Sequence, residues 1–302
     1  MKEADVEQYS RRWALKTGSL GLGALAAGLI SGCSAVAPEQ RSTAPAASAT
    51  PPPSAAASSQ PASAFPAAYP SRNQVIEKFK EVPAGQFGLD IPGIELGLPK
   101  GSEFAALTFD ACGGPNGSGA DETLLDALRE LQVPATLFVN QRWARANARL
   151  LAELASDGLF EIANHGTSHA PLATGGQSAY GIMGTGSIAQ AYDEVMGNQL
   201  YLAERFGITA QFFRSGTAHM DEAGAALCRE LGVLPMNFTV NLDAGASFDA
   251  TTVAAQVSQL RAGDVGIGHF NQPASGTAKG LALGLVQALD SGLRFAKLSD
   301  AW

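Results

Sequence analysis

The sequence is poor in residues that staple or bind by themselves. Three cysteines in 302 residues exclude a disulfide scaffold and a four-cysteine zinc ribbon. Charged residues make up 16% of the chain, against about 25% in an average domain. The charge that exists is acidic, Lys+Arg 20 against Asp+Glu 28, a net of −8. A chain built to grip a nucleic-acid backbone carries the opposite balance, so nucleic acid is excluded as the main partner. Neither Gly-x-Ser-x-Gly nor His-Glu-x-x-His occurs, which leaves serine-esterase and zincin chemistry without support. No repeat of fixed period is present. Only four histidines occur, and their positions prove the most informative feature of the chain. Hydrophobic residues, at 46%, suffice for a sizeable core. The length fits two domains of ~150 residues, or one α/β barrel of ~200–250 with appendages.

The N-terminus reads as an address. Ser10-Arg11-Arg12-Trp13-Ala14-Leu15-Lys16 resembles a twin-arginine export signal, with Ala14 where that signal usually has Phe. An uncharged Gly/Ala-rich run follows and ends Leu29-Ile30-Ser31-Gly32-Cys33, which resembles a lipoprotein box: small residues before a cysteine whose thiol is lipidated. An uncleaved membrane helix is the competing reading, since the run approaches the ~20 residues needed to span. Weak hydrophobicity and the position of Cys33 favour the lipoprotein. Lipidation of Cys33 leaves Cys112 and Cys228 either to pair in an oxidising compartment or to stay as buried free thiols. Residues 34–69 are nearly all Ala, Pro and Ser, a composition that builds no core and reads as a tether.

From about residue 75 short apolar runs alternate with amphipathic ones. The pattern predicts strands over 104–110, 135–140, 159–164, 210–214, 233–241, 264–269 and 293–298. Helices are expected over 122–131, 146–156, 188–206, 222–231, 252–261 and 281–291. Asp121 and Asp221 read as N-caps, and Gly158, Gly207, Gly232, Gly263 and Gly292 as C-terminal stops. Strict β–α alternation argues for a parallel sheet, doubly wound or barrel, and seven candidate strands suggest an incomplete barrel.

In such folds the residues just past the strands' C-terminal ends share the active face. Asp110 ends the first strand, and Asn164 and His165 end the third, with His169 soon after. Arg214 ends the fourth, Asp243 follows the fifth, and His269 ends the sixth. Three of the four histidines thus fall on one rim. His165-Gly166-Thr167-Ser168-His169 spaces two imidazoles so that a tight turn lets both reach one cation at ~2.0–2.1 Å, as zinc requires. A pair of surface histidines is the plainer alternative. Two histidines, a carboxylate and an open water position suit metal-assisted hydrolysis. His219 reads as a structural or solvated histidine.

Thr108-Phe109-Asp110, His165 with His169, Phe213-Arg214, Asp243 and Ile267-Gly268-His269 follow the order of the five motifs of NodB-type polysaccharide deacetylases, carbohydrate esterase family 4. The sequence resembles that family from about Phe104 onward. The resemblance implies a distorted (β/α)7 barrel that removes acetyl groups from sugar polymers with a divalent metal, zinc by its donors. It implies that Asp110 is the catalytic base, that His165 and His169 bind the metal, and that Arg214 orients Asp110. His269 is then the general acid and Asp243 holds it.

Departures mark a variant branch. The family's first motif usually has two adjacent Asp, the second a metal ligand; here the pair is Asp110-Ala111. The third protein ligand is missing unless Asp110 or a residue such as Asp121 supplies it. Arg214-Ser215-Gly216-Thr217 lacks the usual prolines, and the fourth motif lacks its second Asp and Trp, for which Phe248 is a substitute apolar wall. The organisation expected is a twin-arginine lipoprotein signal over 1–32, a tether over 33–74 and a deacetylase-like catalytic domain over 75–302. The expected partners are an acetylated envelope polysaccharide and a bacterial membrane reached through lipidated Cys33 on its extracytoplasmic side. A catalytically inactive barrel that binds glycan is the rival.

Overall fold

The computed structural model describes residues 69–302; the Arg11-Arg12 motif, Cys33 and the tether up to residue 68 lie outside the described residues. The predicted alternation folds into one parallel sheet. Its strands are β1 (Phe104–Ala111), β2 (Ala135–Val139), β3 (Phe160–Asn164), β4 (Phe212–Phe213), β5 (Leu234–Pro235), β6 (Val240–Asn241), β7 (Val265–His269) and β8 (Arg294–Phe295). The order is β6-β7-β1-β2-β3-β4-β5, with β8 paired to the start of β1. Strands β1 and β2 are buried along almost their whole length, as expected for near-continuous apolar runs covered on both faces. The sheet curls into an incomplete barrel, the distorted (β/α)7 form. No pairing joins β5 to β6, and helices surround the curl.

Those helices are α1 (Arg72–Phe79), α2 (Glu122–Leu131), α3 (Gln141–Ala146), α4 (Ala148–Ser156), α5 (Ile188–Phe206), α6 (Glu222–Glu230), α7 (Ala250–Ser258), α8 (Thr277–Asp290) and α9 (Leu298–Ala301). Asp121 and Asp221 cap α2 and α6 through the backbone N–H groups of Leu124 and Gly224, and Gly207 ends α5 in the left-handed conformation, as their sequence positions predict. Helices α7 and α8 pack at backbone contact. A Cβ at Gly280 would lie 2.5 Å from the Ala250 carbonyl oxygen and the Val253 Cβ, so only glycine fits there.

The structure departs from expectation in four places. Helix α1 begins at Arg72, ahead of the expected domain start at 75, with Ser71 and Gln74 forming a capping box and Val75 and Phe79 buried. The helix expected over 146–156 forms as α4 from Ala148, and a short unexpected helix, α3, precedes it with Asn147 between the two. The strand expected over 233–241 splits into β5 and β6. A two-stranded hairpin, Ser178–Ala179 with Ile182–Met183, leaves the segment between β3 and α5. Among the described residues no helix is long and apolar enough to cross a membrane.

Candidate active site

Register sets the site. Strands β1 and β7 pair with His269 opposite Asp110, and Asn164 of β3 pairs with Phe213 of β4, so residues 110–112, 165, 214 and 269 emerge at one end of the sheet.

Asp110 is buried and takes a hydrogen bond from Arg214 Nη1 at 2.8 Å. Arg214 is itself fully buried. Its other donors end on the carbonyls of Met236 (3.1 Å) and Asn237 (2.7 Å), and its plane lies 4.1 Å over the Phe138 ring. These carbonyls belong to the break between β5 and β6, so the guanidinium occupies the place where the curl fails to close. Burial by itself raises the Asp110 carboxyl; His165 and Arg214 outweigh it and hold the group below its ordinary range.

His165 presents one nitrogen to the site. Its Nδ1 lies 2.9 Å from the Arg214 carbonyl oxygen, so Nδ1 keeps its proton when the ring is neutral and Nε2 then offers its lone pair. In the metal-free site Asp110 and Cys112 outweigh burial and raise the ring toward its charged form. Nε2 lies 3.5 Å from Asp110 Oδ2 and 3.8 Å from the sulfur of Cys112. The His169 ring stands edge-on to that of His165, centroids 4.9 Å apart. Ligand atoms of Cys112, His165 and His169 all lie within 4.8 Å of one another, a set that closes on one tetrahedral ion with little movement. Burial raises the Cys112 thiol, but hydrogen bonds with His165, His169 and His269 bring it well below its ordinary value, toward the thiolate that metals require. The donor set therefore fits a divalent cation, with Cys112 taking the part expected of a carboxylate.

Asp121 is not in this set. Its Oδ1 caps α2, and burial pushes its carboxyl up to about 6. Ala111 is fully buried in the hydrophobic core with Phe109 and Trp143. Cys112 and Cys228 are both free thiols; Cys228 is buried in α6, and burial pushes it up.

The loop carrying the two histidines is wrapped around a residue sequence reasoning did not single out. Glu194, buried in α5, accepts hydrogen bonds from the backbone of Ser168 (3.0 Å) and Ala170 (3.2 Å) and from the Ser168 hydroxyl (2.5 Å). Asn140 and Asn164 hold the loop's other side, through the carbonyls of His165 and Gly166 and the N–H of Gly166. His169 itself is left-handed, φ +65, a conformation that costs on the order of 1–3 kcal/mol and persists only when its surroundings enforce it. Gly216 passes so near that a Cβ there would lie 2.1 Å from the His169 carbonyl oxygen, which accounts for the glycine at that position. We expect Glu194→Ala to weaken zinc binding by ~10–100-fold, the scale of lost supporting contacts around a ligand, and to lower the melting temperature as well, since the Ser168 and Ala170 N–H groups lose a buried acceptor. Competition with a chromophoric chelator measures it, and an unchanged affinity would remove Glu194 from a positioning role.

His269 faces the same space. Its Nδ1–H donates to Asp243 Oδ1 at 2.9 Å and its backbone N–H to Oδ2 at 2.7 Å, while the Thr277 hydroxyl donates to Oδ2 at 3.0 Å. Burial lowers His269, but Asp243 and the Cys112 sulfur raise it well above the ordinary imidazole value. A cleft of about 490 Å³ joins Asp110, Cys112, His169 and His269. Its apolar wall includes Leu89, Phe238 and Ile267; Phe248, the expected wall, packs against the core.

Residues 98–235 match the family model described as polysaccharide deacetylase. That span contains Asp110, Cys112, His165, His169 and Arg214; Asp243 and His269 lie beyond it and are tied to the site by the sheet. Among solved structures, a family 4 carbohydrate esterase pseudoenzyme from Bacillus anthracis is 15% identical at TM-score 0.56, covering 68% of this chain and 67% of its own. The Bc1960 peptidoglycan N-acetylglucosamine deacetylase is 20% identical at 0.58, over 70% and 92%. A family 4 carbohydrate esterase from Streptomyces lividans, in complex with acetate, is 24% identical at 0.52, over 64% and 91%. At these identities the likeness is one of fold. Family match, fold and ordered motifs agree: residues 98–235 match the polysaccharide deacetylase model, and the described residues have the fold of the family 4 carbohydrate esterases.

Proposed function

We propose that the chain is a metal-dependent hydrolase removing acetyl groups from an N-acetylated cell-envelope polysaccharide, peptidoglycan or a chitin-like poly-N-acetylglucosamine. One observation carries the proposal. A carboxylate held ionised by a buried arginine and an imidazole held charged by a second buried carboxylate face one cleft with the metal donors Cys112 and His169, and the third donor, His165, lies buried beside them. An acetamide carbonyl is a poor electrophile and water a poor nucleophile at neutral pH. A divalent cation bound by Cys112, His165 and His169 supplies Lewis acidity toward both, and a thiolate with two imidazoles suits zinc. Asp110 takes a proton from water as its oxygen adds to the carbonyl carbon, with Arg214 keeping Asp110 ionised and aimed. His269 gives a proton to the nitrogen as the C–N bond breaks, so acetate and a free amine result. The peptidoglycan substrate of the Bc1960 relative supports the polymer class.

Ala111, where the family has its second carboxylate, and the pseudoenzyme relative favour the second reading, an inactive glycan-binding domain. Acetate release from N-acetylglucosamine oligomers and peptidoglycan separates the two. Release is expected to stop on chelation and return with zinc. Glycan binding without acetate release under zinc, cobalt or manganese would decide for the inactive reading.

We also propose export and lipid anchoring through the N-terminal segment, supported by Arg11-Arg12 and the small residues before Cys33. Cys33→Ala is expected to abolish incorporation of labelled fatty acid and leave unprocessed precursor. Label on that variant would overturn the anchor, and efficient export after both arginines become lysine would overturn the twin-arginine route.

A further inference from the structure

The hairpin between β3 and α5 turns at Tyr180-Gly181, with Ala179 paired to Ile182. Both turn residues have positive φ, +51 and +76. A tight turn of this hand favours Asn, Asp or Gly, and a bulky aromatic there is a conformational outlier. The ring gains no compensating burial, since Tyr180 is 80% exposed. It nevertheless lines the cleft that holds Asp110, Cys112, His169 and His269. The Tyr180 and His219 rings stand perpendicular, 86° apart with centroids at 5.3 Å, and Phe87 lies against His219 with centroids at 5.6 Å. His219 Nδ1 is engaged by the Thr217 carbonyl at 2.7 Å, which fixes the ring's orientation. Thr217, left-handed itself, lines the cleft with Tyr180 and Ile182.

We propose that Tyr180, backed by His219 and Phe87, is a stacking platform for a pyranose ring of the substrate. The ligand is a chain of at least two N-acetylated hexosamines, with one sugar at the Asp110–His269 end of the cleft and its neighbour on Tyr180. The inference rests on the deacetylase reading for the orientation of the chain. Pyranose rings present apolar C–H faces edged with hydroxyls. A phenol ring of high exposure beside a polar cleft matches both, offering its face to C–H groups and its hydroxyl to the rim. Continuity with the site distinguishes this tip from a lipid-inserting one, because Tyr180 lines the same cleft as Asp110 and His269.

Two variants, set against the wild type, test it in the full-length chain. Tyr180→Asn removes the ring and keeps a residue suited to the left-handed turn, Tyr180→Phe keeps the ring, and the wild type is the reference. Binding of N-acetylglucosamine and its tetramer is measured by calorimetry, with zinc and with chelator. Tyr180→Asn is expected to weaken tetramer binding on the order of 10-fold, the scale of one aromatic contact. Tyr180→Phe should stay within about twofold, and monosaccharide binding should not change. Wild-type tetramer affinity in Tyr180→Asn, an equal loss for the monosaccharide, or no tetramer binding by the wild type would overturn the platform. Acetate release from the tetramer, measured beside these, keeps the two proposals apart. Tyr180-dependent binding without release leaves the platform and removes the deacetylase. Release that Tyr180→Asn does not alter does the reverse.

Discussion

Asp110→Asn is expected to lower kcat at least ~10²-fold, and His269→Gln by a similar factor, with the double variant far from the product of the two. Non-additivity follows from the proposed roles: the base and the acid serve one proton path, so losing either stops it. The two variants differ in what else they disturb. Arg214 is fully buried, and Asp110 is its carboxylate partner. Leaving a buried charge unpaired costs on the order of 3–5 kcal/mol, so Asp110→Asn is expected to melt at lower temperature as well. The His269 side chain is 16% exposed and faces the cleft, so His269→Gln is the cleaner test. Near wild-type acetate release from a folded His269→Gln would remove His269 from the acid role.

The same pair fixes the pH dependence. Asp110 is held below the ordinary carboxylate range, so its base form is present at neutral pH and lost only as pH falls through that lowered value. Burial works against a charged His269, but Asp243 raises it well above the ordinary imidazole value, so its acid form persists at neutral pH and is lost as pH rises through the raised value. A bell-shaped kcat/KM profile with a broad top is expected. Asp243→Asn should draw the alkaline limb to lower pH, and an unmoved limb would detach Asp243 from this role.

What the sequence made legible is what local periodicity and strand ends encode. Asp110, His165, Arg214 and His269 close apolar strand-like runs, and strand ends in a parallel sheet share one face whatever the loops do. The break at 233–241 was not legible, because its cause is distant. Arg214 draws off the carbonyls of Met236 and Asn237, and the Asn237 side chain ties to the carbonyls of Leu89 and Ala218. A strand cannot run through residues whose acceptors are engaged elsewhere. Glu194 was hidden by its helix, where one acidic residue in an amphipathic pattern reads as solvated surface; only the fold brings the histidine loop to it. Cys112 was hidden by isolation. With no second cysteine at metal-ligand spacing, it read as a spare thiol or half of a disulfide.

Cys112→Ala is expected to weaken zinc binding by more than ~10²-fold, since removing a ligand exceeds the ~10–100-fold cost of losing a group that merely supports one. The sulfur stands among His165, His169 and His269, and the imidazoles hold its thiol far below the ordinary value. That position makes it the candidate for the third protein donor, which Ala111 cannot be. A thiolate donor also biases the site toward zinc and cobalt over magnesium or calcium, which prefer oxygen. Two readouts need no substrate. Cobalt-loaded protein should show a sulfur-to-metal charge-transfer band in the near ultraviolet that Cys112→Ala lacks. Zinc should also protect the Cys112 peptide from alkylation, while Cys228, fully buried and pushed up by that burial, stays unreactive with or without metal. Cys112→Asp restores an oxygen donor, so it should recover part of the zinc affinity without the band, whereas His165→Ala with His169→Ala should lose both. Wild-type zinc affinity in Cys112→Ala, or alkylation of Cys112 at equal rate with zinc bound, would leave the metal to the two histidines and Asp110.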